Sequence, residues 1–199
     1  MLISQVLLQM ALYASMILVA PGPTNTLLLS SGIDNGFRSS WYLVIAETLG
    51  YVIAISIWGS FLVSLATANP WLLDVVRLFC SAYIFYLATR LWKSTNFGKN
   101  LNKPIGFRDL FIATMLNPKA LLFASAIFPP LAFVSLEFFC LSMLVFIAMT
   151  LSIGSGWLAM GGILRSNRSW GVHTPKLMRG ASLVLVMFSG TLMFSVLSR

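Results

Sequence analysis

Two charged side chains lie in apolar surroundings where they could bind a solute or a proton. Glu47 and Lys119 each fall inside a long apolar stretch, a place where an ionisable group costs free energy and usually has a function. A carboxylate there can hold a proton or a cationic group, and an ammonium can hold a carboxylate. The sequence contains no phosphate-binding glycine loop, nucleophile elbow or Ser/His/Asp pattern, and its single His and two distant Cys give no metal-binding pattern. These features predict a protein that is not an enzyme and needs no cofactor.

The first of two interrupted helices contains Pro21-Gly22-Pro23, inside an apolar run from about Ser4 to Ile33. Proline lacks a backbone N–H and clashes with the carbonyl one turn earlier, so carbonyls around Ile17 to Val19 lose their helical partners. Within hydrocarbon, such groups must be covered by protein or line a polar cavity. The pattern predicts a broken helix that holds a small polar solute near the bilayer midplane. Asn25 either binds that solute or satisfies the exposed backbone, and the alternative for the whole segment is a kink that only shapes packing.

The second interruption is Asn117-Pro118-Lys119, in an apolar run from about Leu110 to Val134. Lys119 begins the inner part of a broken helix, where its charge adds to free backbone N–H groups and suits a carboxylate ligand. The alternative is a lysine that reaches back to the headgroups. Asn117 has the same two roles open to it as Asn25.

Glu47 and Lys119 are predicted to lie at similar depths in the bilayer. Counted from the cytoplasmic ends of their helices, they are about 9 Å and about 14 Å deep, respectively. One cavity can therefore hold both. The alternatives for Glu47 are a direct ion pair with Lys119 or a side chain that extends to the headgroups.

Composition predicts the fold class that must position these residues. The chain has 199 residues, of which 58% are hydrophobic and 9% charged, and its mean hydropathy is +0.89. Repeated apolar runs of about 20 residues predict an all-α, polytopic membrane helix bundle that forms one transmembrane domain over residues 1–199. Small residues four apart in span 5, Ser152 with Gly156 and Ser155 with Ala159, are expected to permit a close helix approach. The six predicted spans run from about Ser4 to Ile33, Trp41 to Leu65, Trp71 to Trp92, Leu110 to Val134, Phe138 to Leu164 and Leu177 to Leu197.

The net charge of +8 follows membrane topology and does not indicate a nucleic-acid partner. Basic residues cluster in or beside the loops that join spans 1 and 2, 3 and 4, and 5 and 6. The positive-inside rule places these three loops in the cytoplasm. Both termini are then outside a bacterial cytoplasmic membrane. The basic residues on this side are Arg38, Arg90, Lys93, Lys99, Lys103, Arg108, Arg165, Arg168, Lys176 and Arg179.

The chain divides into two halves of three spans, about 1–95 and 105–199. An odd number of spans gives the halves opposite orientations, and each half opens with a proline-broken span. This layout predicts an inverted repeat with a binding site at the midplane. The oligomeric state stays open, a homo-oligomer included.

At these motifs the chain resembles the LysE/RhtB family of amino-acid exporters, over nearly its whole length. The resemblance implies a proton antiporter that exports amino acids or their derivatives, with Pro21, Gly22, Pro23 and Asn117-Pro118-Lys119 in the site. Glu47 departs from the small or apolar residue expected there, which fits a cationic amino group or a distinct mode of coupling. The matching segments are Ala20-Pro21-Gly22-Pro23-Thr24-Asn25, Gly36-Phe37-Arg38, Leu49-Gly50, Ala82-Tyr83, Leu91-Trp92-Lys93 and Leu116-Asn117-Pro118-Lys119-Ala120.

Together these features predict export of a small zwitterionic amino acid by alternating access, with protons and the lipid bilayer as the other partners. One alternative is a metal-ion exporter of a related family, against which the scarcity of Cys, His and acidic residues argues. The other is a membrane assembly subunit that transports nothing.

Overall fold

Helices make up nearly all of the structure. The computed structural model describes residues 2–69, 71–93, 104–166 and 174–197, and within those ranges no strand occurs. The predicted all-α class is therefore confirmed. A π-helical turn, Phe123–Ile127, and a short 3-10 helix, Pro130–Phe133, lie between α7 and α8. The helices are α1 Leu2–Val19, α2 Pro23–Asn35, α3 Phe37–Ser40, α4 Tyr42–Ala68, α5 Trp71–Lys93, α6 Phe107–Met115, α7 Pro118–Leu122, α8 Leu136–Ser166 and α9 Thr174–Leu197.

Both predicted breaks are present. Helices α1 and α2 meet at 58°, and the pair formed by α6 with Pro118–Ile127 bends by 44°. Pro23 and Pro118 each stand in the first turn of the helix after a break, where the missing N–H needs no partner. Gly36 ends α2 with φ +82°, a conformation that favours glycine. Proline at these two places thus ends one helix and begins another.

Several of the described helices have the length and composition of membrane spans. Phe37–Leu65 and Leu136–Arg165 are each long and apolar enough to cross a bilayer, and the two bent pairs bring the number of candidates to four. Helices α5 and α9, of 23 and 24 residues, are about 35 Å long and pack along each other. The predicted membrane bundle with broken spans 1 and 4 is confirmed. Lys99, Lys103 and Arg168 of the predicted basic loops lie outside the described residues.

Two glycines let the backbones of α2 and α8 approach each other closely. A Cβ added at Gly32 would lie 2.2 Å from the carbonyl oxygen of Leu158, and one at Gly161 would lie 2.2 Å from that of Leu29. Only glycine permits such an approach of two backbones. Helices α4 and α6 also approach closely, since a Cβ at Gly50 would lie 2.7 Å from Cβ of Thr114.

The expected contact through Ser152 and Gly156 was wrong. Both residues are exposed, and nothing lies within 4 Å of the Cβ position of Gly156. Helix α8 instead turns the face with Gly154, Leu158 and Gly161 toward the bundle. The spacing of four between small residues occurs on more than one face of α8, so the sequence alone did not select the packed one.

Helix α5 is tied to its neighbours through polar side chains. The predicted i, i+3 pair of Asp74 and Arg77 is formed, at 3.4 Å, and Nε of Arg77 also donates to the carbonyl of Ser125, at 3.3 Å. The hydroxyls of Ser81 and Ser189 each donate to the carbonyl of the other residue, both at 2.9 Å. Arg77 thus holds α5 to the π-helical turn, and the two serines hold it to α9.

Candidate functional site

The ammonium of Lys119 crosses from the second break to the first. Its Nζ donates to the carbonyls of Ile17, at 2.9 Å, and Ala20, at 2.7 Å. The side chain is 1% exposed, so it does not reach the headgroups. A Cβ at Gly22 would lie 2.9 Å from Nζ, which explains why glycine stands there. Lys119 therefore satisfies carbonyls that the break leaves open, and it packs the two broken helices against each other.

Asn25 satisfies the same break from within α2. Its Nδ2 donates to the carbonyl of Leu18, at 2.7 Å, and to that of Ala20, at 2.9 Å. Two of the carbonyls that were predicted to lose their helical partners, those of Ile17 and Leu18, thus accept hydrogen bonds from side chains. For Asn25 the geometry matches the backbone-satisfying alternative, and both N–H donors of its amide are used.

Asn117 fixes the start of α7. Its Oδ1 accepts from the backbone N–H of Lys119, at 3.0 Å, which caps the helix, and its Nδ2 lies 3.3 Å from the hydroxyl of Tyr51 on α4. This pair of contacts sets the direction in which Lys119 leaves the backbone. Of the prolines, Pro21 is buried, whereas Pro23 and Pro118 face outward and shape the breaks.

Glu47 lies at the centre of the bundle, ten residues or about 15 Å along the span from Phe37. It is 1% exposed, which excludes a side chain that extends to the headgroups. Its carboxyl faces Thr24 of α2. A Cβ added at Gly154 of α8 would lie 2.9 Å from Oε2 of Glu47. Glycine at position 154 therefore makes room for the carboxyl between three helices.

Glu47 and Lys119 act on each other through the interior without direct contact. Their charges interact, but no N–O distance of 4.0 Å or less joins them in the part of the chain that the structure describes. The Oε1 atom of Glu47 has no hydrogen-bond partner there. An ammonium has three N–H donors, and Lys119 uses two. A carboxyl and an ammonium held apart in this way are complementary to the two ends of a zwitterion.

Three residues that the sequence did not single out as site residues belong to this cluster. Thr24 and Tyr51 line the space beside Glu47, and Gly154 makes room for it. Tyr51 lies one turn after Glu47 on the same face of α4, a spacing that the sequence displays. Its ring packs edge-on against Phe123 and Phe146, with centroids 5.5 and 5.9 Å apart. An aromatic layer thus closes one side of the cluster.

Comparison with known proteins gives a family match over most of the chain. The family model described as LysE type translocator matches residues 15–196. The cysteine/O-acetylserine efflux proteins of Salmonella choleraesuis (strain SC-B67) and Escherichia coli (strain K12) are 30% and 31% identical over 112 residues. These matches cover 56% of this chain and 57% of each relative, so the chain matches little more than half the length of these proteins. No solved structure matches the chain.

Proposed function

We propose, since this chain belongs to the LysE type translocator family, that it exports a small zwitterionic amino acid or derivative across the cytoplasmic membrane in exchange for protons. The observation that carries the proposal is the buried cluster at the two helix breaks, where Glu47 and Lys119 face one interior region without pairing. A buried charge without an oppositely charged partner costs several kcal/mol of stability. Within a membrane, such a charge usually binds a ligand or a proton. The names of the relatives support cysteine or O-acetylserine as the solute.

Each charge has a role in this mechanism. The substrate carboxylate approaches the third N–H of Lys119, and the substrate ammonium approaches Glu47. When the ammonium leaves, Glu47 takes a proton in its place, because a buried carboxylate is costly without a cation. The proton then returns to the cytoplasm on Glu47 while the site is empty. Exchange of one cation for the other couples export to proton entry.

Alternating access uses the breaks as hinges. Helices α2 and α7 begin at the site, so a change in the 58° and 44° bends moves one side of the cluster without breaking a continuous helix. The aromatic layer of Tyr51, Phe123 and Phe146 is the barrier on the side away from Phe37. Opening of that layer releases the solute outward.

Efflux from reconstituted vesicles tests this proposal. Proteoliposomes loaded with labelled L-cysteine or O-acetyl-L-serine are diluted into buffer of equal or lower pH, with protein-free liposomes and labelled glucose as controls. The proposal predicts protein-dependent loss of the amino acids, faster with acid outside, and no loss of glucose. Retention equal to that of protein-free liposomes, or no response to a proton gradient, contradicts it.

A further inference from the structure

Thr24, in the first turn of α2 after the break, has a hydroxyl that is free to bind a ligand. Its side chain is fully buried, and its Oγ1 has no hydrogen-bond partner. Among the described residues only four buried side-chain oxygens or nitrogens are in this state. Two of the four are Oγ1 of Thr24 and Oε1 of Glu47, which belong to side chains that face each other.

Four other threonines inside the spans donate to their own helix. The hydroxyls of Thr48, Thr114 and Thr150 each donate to the carbonyl four residues earlier in their own helix, at 2.8 to 2.9 Å. Thr26, two residues after Thr24, does the same to Gly22, at 2.8 Å. This bond is the usual way for a hydroxyl to be satisfied in hydrocarbon.

Thr24 cannot make the corresponding bond because its acceptor is occupied. The carbonyl four residues earlier belongs to Ala20, on the far side of the break. That oxygen already accepts from Nζ of Lys119 and Nδ2 of Asn25, which use both of its lone pairs. The residues that satisfy the broken backbone therefore leave the hydroxyl of Thr24 directed at the carboxyl of Glu47 and the phenol of Tyr51.

We infer that Thr24 is a specificity residue that binds the α-ammonium group of the transported solute together with Glu47, an inference that rests on the proposed function. The two unpartnered oxygens both accept hydrogen bonds, and an ammonium offers three donors. A solute without this group leaves one or both oxygens unsatisfied in a buried site, which costs binding free energy. Thr24 thus selects amino acids over carboxylic acids of the same shape.

The test uses two threonine variants of α2 and two solutes. Initial efflux rates from proteoliposomes give the KM for O-acetyl-L-serine and for its des-amino analogue, 3-acetoxypropanoate. Thr24→Val should raise the KM for O-acetyl-L-serine roughly tenfold, the effect of one lost charge-assisted hydrogen bond, and leave the analogue unchanged. Thr26→Val, which loses only a bond within its own helix, should leave both KM values near those of the wild type.

Two further measurements separate binding from structure. Thr24→Ser keeps the hydroxyl and should keep the wild-type KM, and the melting temperature of Thr24→Val should not fall, since that hydroxyl has no bond to lose. An unchanged KM in Thr24→Val, or an equal rise in Thr26→Val, overturns the inference while the proposed function stands. If the wild-type protein releases no amino acid from vesicles, both are overturned.

Discussion

One ammonium group, that of Lys119, serves both interrupted helices. Lys119 follows Pro118 in the first turn of α7. Its ammonium donates to two carbonyls about 100 residues earlier in the chain, near the end of α1. The sequence predicted which carbonyls would be open and that Lys119 would lie deep. It offered Asn25 as a donor to them but did not predict Lys119, because that contact depends on how α1 packs beside α7.

Removal of this ammonium should destabilise the protein. Lys119→Met leaves the carbonyl of Ile17 without its donor, while Ala20 keeps the amide of Asn25, so we expect a loss of about 1 to 3 kcal/mol in unfolding free energy. Thermal unfolding in detergent measures it. Arg108→Met, which removes an exposed charge from the start of α6, is the control. Equal melting temperatures for the two variants would show that the contacts of Lys119 do not stabilise the fold.

The three site residues that the sequence did not identify were missed for different reasons. The spacing of Tyr51 from Glu47 is visible in the sequence, but the face of α8 that packs against the site, and with it the role of Gly154, depends on the three-dimensional arrangement. Thr24 lies within the motif that broke the helix. Its significance depends on both lone pairs of the Ala20 carbonyl being filled, which no sequence pattern displays.

At the scale of helices, we propose that the two halves of the chain form an inverted repeat. Exchange of the halves relates span 1 to span 4 and span 2 to span 5. Helices α1 and α2 of span 1 pack on α8, and correspondingly α6 and α7 of span 4 pack on α4. Helices α5 and α9, which exchange with each other, are joined by the reciprocal hydrogen bonds of Ser81 and Ser189. A contact pattern that maps onto itself supports a pseudo-twofold axis through the bundle.

The contact between α2 and α8 should tolerate no added methyl group. In Gly161→Ala the new Cβ meets the backbone carbonyl of Leu29, which cannot rotate away, so the helices must separate at a cost of about 1 to 3 kcal/mol. Gly156→Ala, on the outward face of the same helix, should be neutral or stabilising, because alanine is the better helix former. The two melting temperatures should therefore move in opposite directions or differ clearly. A Gly161→Ala protein as stable as Gly156→Ala would contradict the packing described for this contact.

For the molecule as a whole, hydropathy and loop charge predicted an orientation with both termini outside. In a Cys80→Ser, Cys140→Ser background, Ile3→Cys should react with a membrane-impermeant maleimide in intact cells. Arg108→Cys, at the start of α6, should react only after the membrane is permeabilised. The reverse pattern would place the basic loops outside and overturn the positive-inside assignment.

Export by proton exchange depends on Glu47 as the carrier of the exchanged proton. A pH indicator enclosed in proteoliposomes reports proton entry while labelled O-acetyl-L-serine leaves. The wild-type protein is compared with Glu47→Gln, after equal melting temperatures have shown that both are folded. Export by proton exchange predicts internal acidification with the wild type. With Glu47→Gln it predicts none, and any remaining efflux should no longer respond to the external pH. Equal acidification with both proteins would contradict the account.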